Sequence, residues 1–298
     1  MDVELTGPSA PRLQAPAGAW DTHIHIIDPR FPLVEQPVYQ PPVATARDYQ
    51  AVQRRLGLEK VLIVQSSTHG TDHACLLDAI TQLGPGARGV GMVGAAVTDA
   101  ELRRLSDGGV CAARFLMTPG GVVAWNEAAA LATRVSAFGW LINLQIRGNT
   151  LLDRFDEIAR LPGRVVVDHI GNFGPVAPDD PAVHALLRLI DGGRVWLKLS
   201  APYAGGAMGA MPYAASGPLA RAFARHAPER LIWGSDWPHT FLTQVHGQPA
   251  PDAAGLFDLL LDWVDDPAVR HSILVDTPEQ LFGTNPRPHD RSRLQDDL

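Results

Sequence analysis

The chain has 298 residues, 46% of them hydrophobic, and a formal net charge of −7 at pH 7. That suits one large α/β domain or two small ones and excludes a disordered chain; scattered Lys and Arg with no basic patch exclude a nucleic-acid partner. Cys75 and Cys111 lie in apolar surroundings without metal-ligand spacing, and there is no signal-peptide pattern or apolar run long enough for a membrane span, so a cytoplasmic protein with buried free thiols is expected.

A Pro/Ala/Gly-rich lead, residues 1–18, precedes the first apolar run, Trp20–Ile26. From there apolar runs alternate with amphipathic helical patterns. Helix 46–56 leads to strand 60–65, helix 74–83 to strand 89–95, and helix 99–105 to strand 111–116. Helix 125–138 leads to strand 140–146, helix 151–161 to strand 164–169, and helix 181–190 to strand 195–200. Helix 219–226 leads to strand 230–234, and helix 253–264 follows. Eight strands, each followed by a helix, predict a (β/α)8 TIM barrel spanning 19–285 as a single domain, with a loose tail over 286–298. A doubly wound open sheet would need a Gly-rich phosphate loop after the first strand, and none is present. The stretch 277–283 reads as a final turn that closes the barrel.

Active sites of such barrels lie at the C-terminal strand ends. Here those ends are polar. His23 and His25 sit at alternate positions of the first strand and share a face if it is regular. The second ends in residues 65–72, including Ser67, His69 and Asp72; the fourth carries Arg114. The fifth carries Asn143, Gln145 and Arg147, the sixth ends in Asp168-His169, and the seventh gives Lys198, Ser200 and Tyr203. The eighth ends in Gly234-Ser235-Asp236-Trp237-Pro238-His239. His23, His25, His169 and Asp236 form an N3O set that suits one divalent ion with an open position for water. Without metal, the imidazoles would polarise a carbonyl while Asp236 takes a proton from water. A buried Arg114 needs an anion, either a substrate carboxylate or a core acid. Arg147 and Lys198 have solvated or structural roles open to them. Asp72 can cap the following helix. Asp168, beside His169, points to the opposite face if the strand is regular.

The motifs Asp21-x-His23-x-His25, Asp168-His169-x-Gly171 and Gly234-Ser235-Asp236-Trp237-Pro238 resemble the amidohydrolase superfamily, in its lactone-processing branch. Residues 64–72 resemble the 2-pyrone-4,6-dicarboxylate lactonases; 145–149 and 226–230 are similar to the D-galactarolactone isomerases. The resemblance implies a general base at Asp236 and a carbonyl surrounded by His23, His25 and His169. It also implies substrate binding by Ser67, His69, Arg114, Gln145 and Tyr39. No lysine stands at the end of the fourth strand, which argues against a bridged two-metal site; the resemblance implies that no cofactor is required, with a single Zn2+ on His23, His25, His169 and Asp236 as the other possibility. No second arginine follows Arg114 in residues 115–123, which argues against a dicarboxylate pyrone. The expected activity is that of a carboxylic ester hydrolase opening a carboxylate-bearing lactone. Lactone isomerisation and metal-dependent decarboxylation are the alternatives. The expected partner is that small molecule, and the sequence is compatible with a homo-oligomer.

Overall fold

The computed structural model describes residues 10–204, 213 and 215–283. Its sheet has eight parallel strands in sequential order: β1 (Trp20–Ile24), β2 (Lys60–Val64), β3 (Ala87–Gly91), β4 (Val110–Leu116), β5 (Leu141–Gln145), β6 (Val165–Val167), β7 (Val195–Leu199) and β8 (Leu231–Trp233). The connecting helices are α1 (Ala46–Leu56), α2 (Ala74–Leu83), α3 (Asp99–Asp107), α4 (Trp125–Ser136), α5 (Leu151–Arg160), α6 (Pro181–Asp191) and α7 (Ser216–His226). After β8 come α8 (Ala253–Trp263) and the short α9 (Pro267–His271). The last strand meets the first: Thr22 Oγ1 donates to the Trp233 carbonyl at 2.7 Å, and His25 N donates to the Trp237 carbonyl at 2.8 Å. These bonds close the barrel and exclude the open doubly wound sheet.

Local chemistry sets the helix bounds. Thr45 caps α1: its hydroxyl accepts from Asp48 N, while the Asp48 carboxylate accepts from Thr45 N. Gly57 ends that helix at φ 72°, where a side chain would be strained. Between those caps, Ala46, Tyr49, Val52 and Leu56 form the buried stripe. At α6 Asp180 accepts from Ala182 N at 2.8 Å, and Pro181 takes the first helical position. Asp72 accepts from Ala74 N at 2.9 Å, as its position before α2 predicts.

The core has two shells. One lies between barrel wall and helices. The other fills the lower barrel with Trp20, Leu62, Val90, Val166, Trp196 and Ile232, plugged from below by Leu281 and Phe282. The Trp20 and Phe282 rings are 6.0 Å apart, so residues 279–283 do close the barrel floor. The inward positions two residues further along the strands are polar. Ala112 is followed by Arg114, Leu141 by Asn143, Val166 by Asp168 and Trp196 by Lys198.

Strand β1 breaks its own alternation. Trp20 pairs with Lys60 and Asp21 with Val61, but Ile24 pairs with Ile63, one residue short of the regular register. The extra residue is a β-bulge, and it switches the face of everything after it. Trp20 points into the barrel, whereas Ile24 belongs to the outer shell. His23 and His25 therefore face inward, where a regular strand would have sent them outward. Behind them, buried Asp21 Oδ1 accepts from His23 N at 3.2 Å and Ser235 N at 2.9 Å, while Tyr49 donates to Oδ2 at 3.2 Å. Burial raises this carboxyl to about 6 despite those bonds.

Two expectations change. The third strand lies at Ala87–Gly91, earlier than the apolar stretch 89–95 suggests. The sixth ends at Val167, and the chain turns left-handed at His169 (φ 57°) and Ile170 (φ 53°). Asp168 therefore keeps the inward face of Val166 while His169 is swung inward as well. The opposite-face expectation for Asp168 fails because the strand is not regular past Val167. The loop 202–216 falls largely, and the tail 286–298 wholly, outside the described residues.

Candidate active site

Four buried side chains meet at the C-terminal mouth. The His23 ring lies 5.0 Å from His25 and 4.7 Å from His169, centroid to centroid. Asp236 Oδ1 is 3.6 Å from His23 Nε2 and 3.8 Å from His25 Nε2. His25 Nδ1 is 2.7 Å from the Val64 carbonyl, which only accepts, so the proton sits on Nδ1 and Nε2 offers a lone pair to the site. His23 Nε2 is buried with no hydrogen-bond partner among the described residues. Close approach here needs Gly234: a Cβ on it would lie 2.7 Å from both His23 Cβ and His23 N.

Asp236 is held in the left-handed region (φ 62°), with its N–H on the His23 carbonyl at 2.9 Å. Tyr203 Oη donates to Asp236 Oδ2 at 2.7 Å and lies 3.0 Å from His239 Nδ1. With its hydrogen committed to the carboxylate, the phenol accepts from His239. Burial raises Asp236 to about 7, against the lowering effect of Tyr203. A carboxyl so poised suits general-base work near neutral pH. Burial lowers His169 to about 4; burial, then Arg114, lowers His25 to about 3. Both rings are neutral at pH 7.

Below this group lies a polar layer that sequence reasoning left unassembled. Lys198 Nζ is 2.9 Å from Asp168 Oδ1, 3.0 Å from Asn143 Oδ1 and 3.1 Å from His23 Nδ1. Asn143 Nδ2 donates to Asp168 Oδ2 at 2.5 Å. Burial alone would raise the Asp168 carboxyl, but Lys198 and then His23 hold it well below the usual range. His169 Nδ1 is 2.9 Å from Ser200 Oγ. The signal was available in the two-residue step from Val166 to Asp168 and from Trp196 to Lys198. Tyr203 and His239 had no comparable signal, because their contacts lie across loops.

Arg114 is buried; it donates to the Gln65 carbonyl and, at 2.9 Å, to Gln145 Oε1. Among the described residues no carboxylate lies within 4.0 Å of it, and its Nε is buried without a partner. The core-acid alternative for Arg114 is thus not what the fold provides. His69 is similar: Nδ1 is 3.0 Å from the Pro32 carbonyl, and buried Nε2 has no partner. Ser67 is half-buried in the single turn Ser67–His69. Tyr39 Oη donates to Thr240 Oγ1 at 3.3 Å, bridging the loop after β1 to the loop after β8. Arg147 is exposed.

Among the described residues two donor groups could hold a metal: His23, His25 and Asp236, or His23, Asp168 and His169. His169 thus shares no group with His25 and Asp236. By atom type the first group can hold a divalent ion only with a lone pair on His23 Nε2, which lies 3.6 Å from Asp236 Oδ1, beside His25 Nε2 at 3.8 Å from the same oxygen.

The amidohydrolase family model matches residues 20–284. The chain belongs to the amidohydrolase family. Among curated relatives, this amidohydrolase is 35% identical over 286 residues to D-galactarolactone isomerase of Agrobacterium fabrum, covering 95% of this chain and 97% of that protein. It is 31% identical over 290 residues to 2-pyrone-4,6-dicarboxylate hydrolase of Comamonas testosteroni, covering 92% and 93%. A crystal structure of an Agrobacterium tumefaciens protein superposes with TM-score 0.85 at 35% identity, over 93% of this chain and all of that one.

Proposed function

We propose that this amidohydrolase is a lactonase that opens a carboxylate-bearing lactone with water activated by Asp236. The observation that carries the reading is a buried Asp236 carboxyl with Oδ1 3.6 Å from His23 Nε2 and 3.8 Å from His25 Nε2; burial raises that carboxyl to about 7. Arg114, buried and without an acid partner, is the group for the substrate carboxylate, with Gln145 fixing its fork. His69, Ser67 and Tyr39 line the same mouth as further substrate contacts. One arginine supports one carboxylate, which favours a sugar-acid lactone over a dicarboxylate pyrone.

Asp236 takes a proton from water as the water oxygen bonds to the lactone carbonyl carbon. His23, His25 and His169 surround the carbonyl; those rings that present an N–H stabilise the tetrahedral oxyanion. Collapse breaks the bond to the ring oxygen, which leaves with the proton held by Asp236. The product is a hydroxy acid whose new carboxyl ionises, so acid favours the lactone. A divalent ion, if bound by His23, His25 and Asp236, would supply Lewis-acid polarisation of the carbonyl; the steps above need only the chain's own groups. Buried free thiols at Cys75 and Cys111 support a reducing compartment, the cytoplasm.

The similarity to a lactone isomerase favours a second reading, intramolecular acyl migration. One experiment separates the two: a panel of sugar-acid lactones incubated in 18O-water, with and without chelator. Hydrolysis places label in the product carboxylate. Ring-shifted lactone without label would replace the lactonase reading with the isomerase one.

A further inference from the structure

Lys198 has no part in the steps above, yet it is wholly buried at the centre of the barrel. Its ammonium donates to Asn143 Oδ1 at 3.0 Å and meets His23 Nδ1 at 3.1 Å, and it forms an ion pair with Asp168 Oδ1 at 2.9 Å, an oxygen with no hydrogen bond among the described residues. Asn143 commits its own amide hydrogen to Asp168 Oδ2, which turns its oxygen toward Lys198. The remaining hydrogen of Lys198 meets His23 Nδ1 at 3.1 Å. The rival arrangement has Nδ1–H reaching Asp168 Oδ1 at the longer distance of 3.4 Å. It would set two donors, Lys198 Nζ and His23 Nδ1, against each other at 3.1 Å.

We infer that Lys198 is a positioning residue that locks His23 as the Nε2–H tautomer, making this ring a standing hydrogen-bond donor into the site and withholding its Nε2 from a metal ion. A neutral imidazole carries one proton, so accepting at Nδ1 places it on Nε2. That Nε2 is buried with no hydrogen-bond partner among the described residues, which leaves its hydrogen free for an incoming oxygen. Asp168 balances the charge of Lys198, and Asn143 fixes the orientation of both. The inference goes beyond the lactonase reading and is tested on the free protein, so either can fail alone.

The test is two-bond 1H–15N correlation on full-length protein labelled with 15N-histidine, with His23→Asn used to assign the His23 signals. At pH 7 the wild type is expected to show a bare Nδ1 and a protonated Nε2. In Lys198→Met the ring is expected to turn over to Nδ1–H, donating to Asp168. That variant leaves a buried carboxylate unpaired, so Lys198→Met/Asp168→Asn, which removes both charges at similar volume, guards against misfolding. In the double variant both tautomers are expected. Zinc affinity, measured against a competing chromophoric chelator, is expected to rise at least about tenfold in Lys198→Met, where the Asp168–His23 pair is freed to support a bound ion. A protonated Nδ1 on His23 in the wild type would overturn the inference. So would an unchanged tautomer in both variants.

Discussion

The Tyr203 hydroxyl donates to Asp236 Oδ2 at 2.7 Å, and it opposes the burial that drives this carboxyl up to about 7. Its removal should leave burial opposed only by the more distant charges of Arg114 and Lys198. Tyr203→Phe should move the acid limb of the pH profile of kcat/KM upward by about one to two units, since a hydrogen bond to a charged group contributes about 1.5–3 kcal/mol. A limb left in place would show that Tyr203 does not tune the base.

The wild-type profile itself has a fixed sign. In the proposed mechanism Asp236 works as the carboxylate, so kcat/KM should rise as pH passes through about 7 and level off above it. The neutral rings His25 and His169 should leave no limb of their own above pH 5 (on the order of a unit above their folded-state positions). Stopped-flow or pH-stat rates between acid and mild base would check both.

Asp236→Asn should lower kcat by about a thousandfold, within the span general-base groups contribute. The amide oxygen can still accept from Tyr203, so the fold should persist. Stability should change with pH in a stated direction. A carboxyl raised in the folded state contributes stability below its unfolded value, and that contribution is lost as pH rises through about 7. The melting temperature of the variant relative to wild type should therefore improve from pH 5 to pH 8 (roughly the window bracketing the shift). A constant difference would count against the raised carboxyl.

Arg114→Met should raise KM for carboxylate-bearing lactones about tenfold to a hundredfold while leaving neutral lactones of the same ring size unaffected. Equal losses on both would mean that Arg114 only supports the barrel.

Gly234→Ala drives a methyl to 2.7 Å from His23 Cβ and N, and neither can withdraw along a flexible chain. A destabilisation of about 1–3 kcal/mol is expected, read by thermal melting, together with lost turnover from a displaced imidazole.

Barrel architecture was legible because parallel strands buried on both faces leave apolar runs, and capped amphipathic stretches mark the helices between them. Ala46, Ala74, Trp125, Leu151, Pro181 and Ala253 begin helices where the residue pattern places them. Gathering His23, His25, His169 and Asp236 at one mouth was legible too, from their place after apolar strands. What escaped was geometry set by irregular backbone. Nothing in Asp168-His169 announces that φ turns positive at His169 and brings both side chains inward. The link from Tyr203 to His239 spans two loops, and loops carry no periodicity to read.

The extra residue in β1 gives one strand two allegiances: its first half plugs the floor with Trp20, and its second half furnishes the C-terminal mouth with His23 and His25. The portable unit of chemistry is therefore not the His-x-His motif alone. Grafted onto an uninterrupted strand of a foreign barrel whose first half plugs the floor in the same way, the same tripeptide would bury both rings beneath the helices. An engineer moving this chemistry to a new scaffold must carry the register slip along with the histidines.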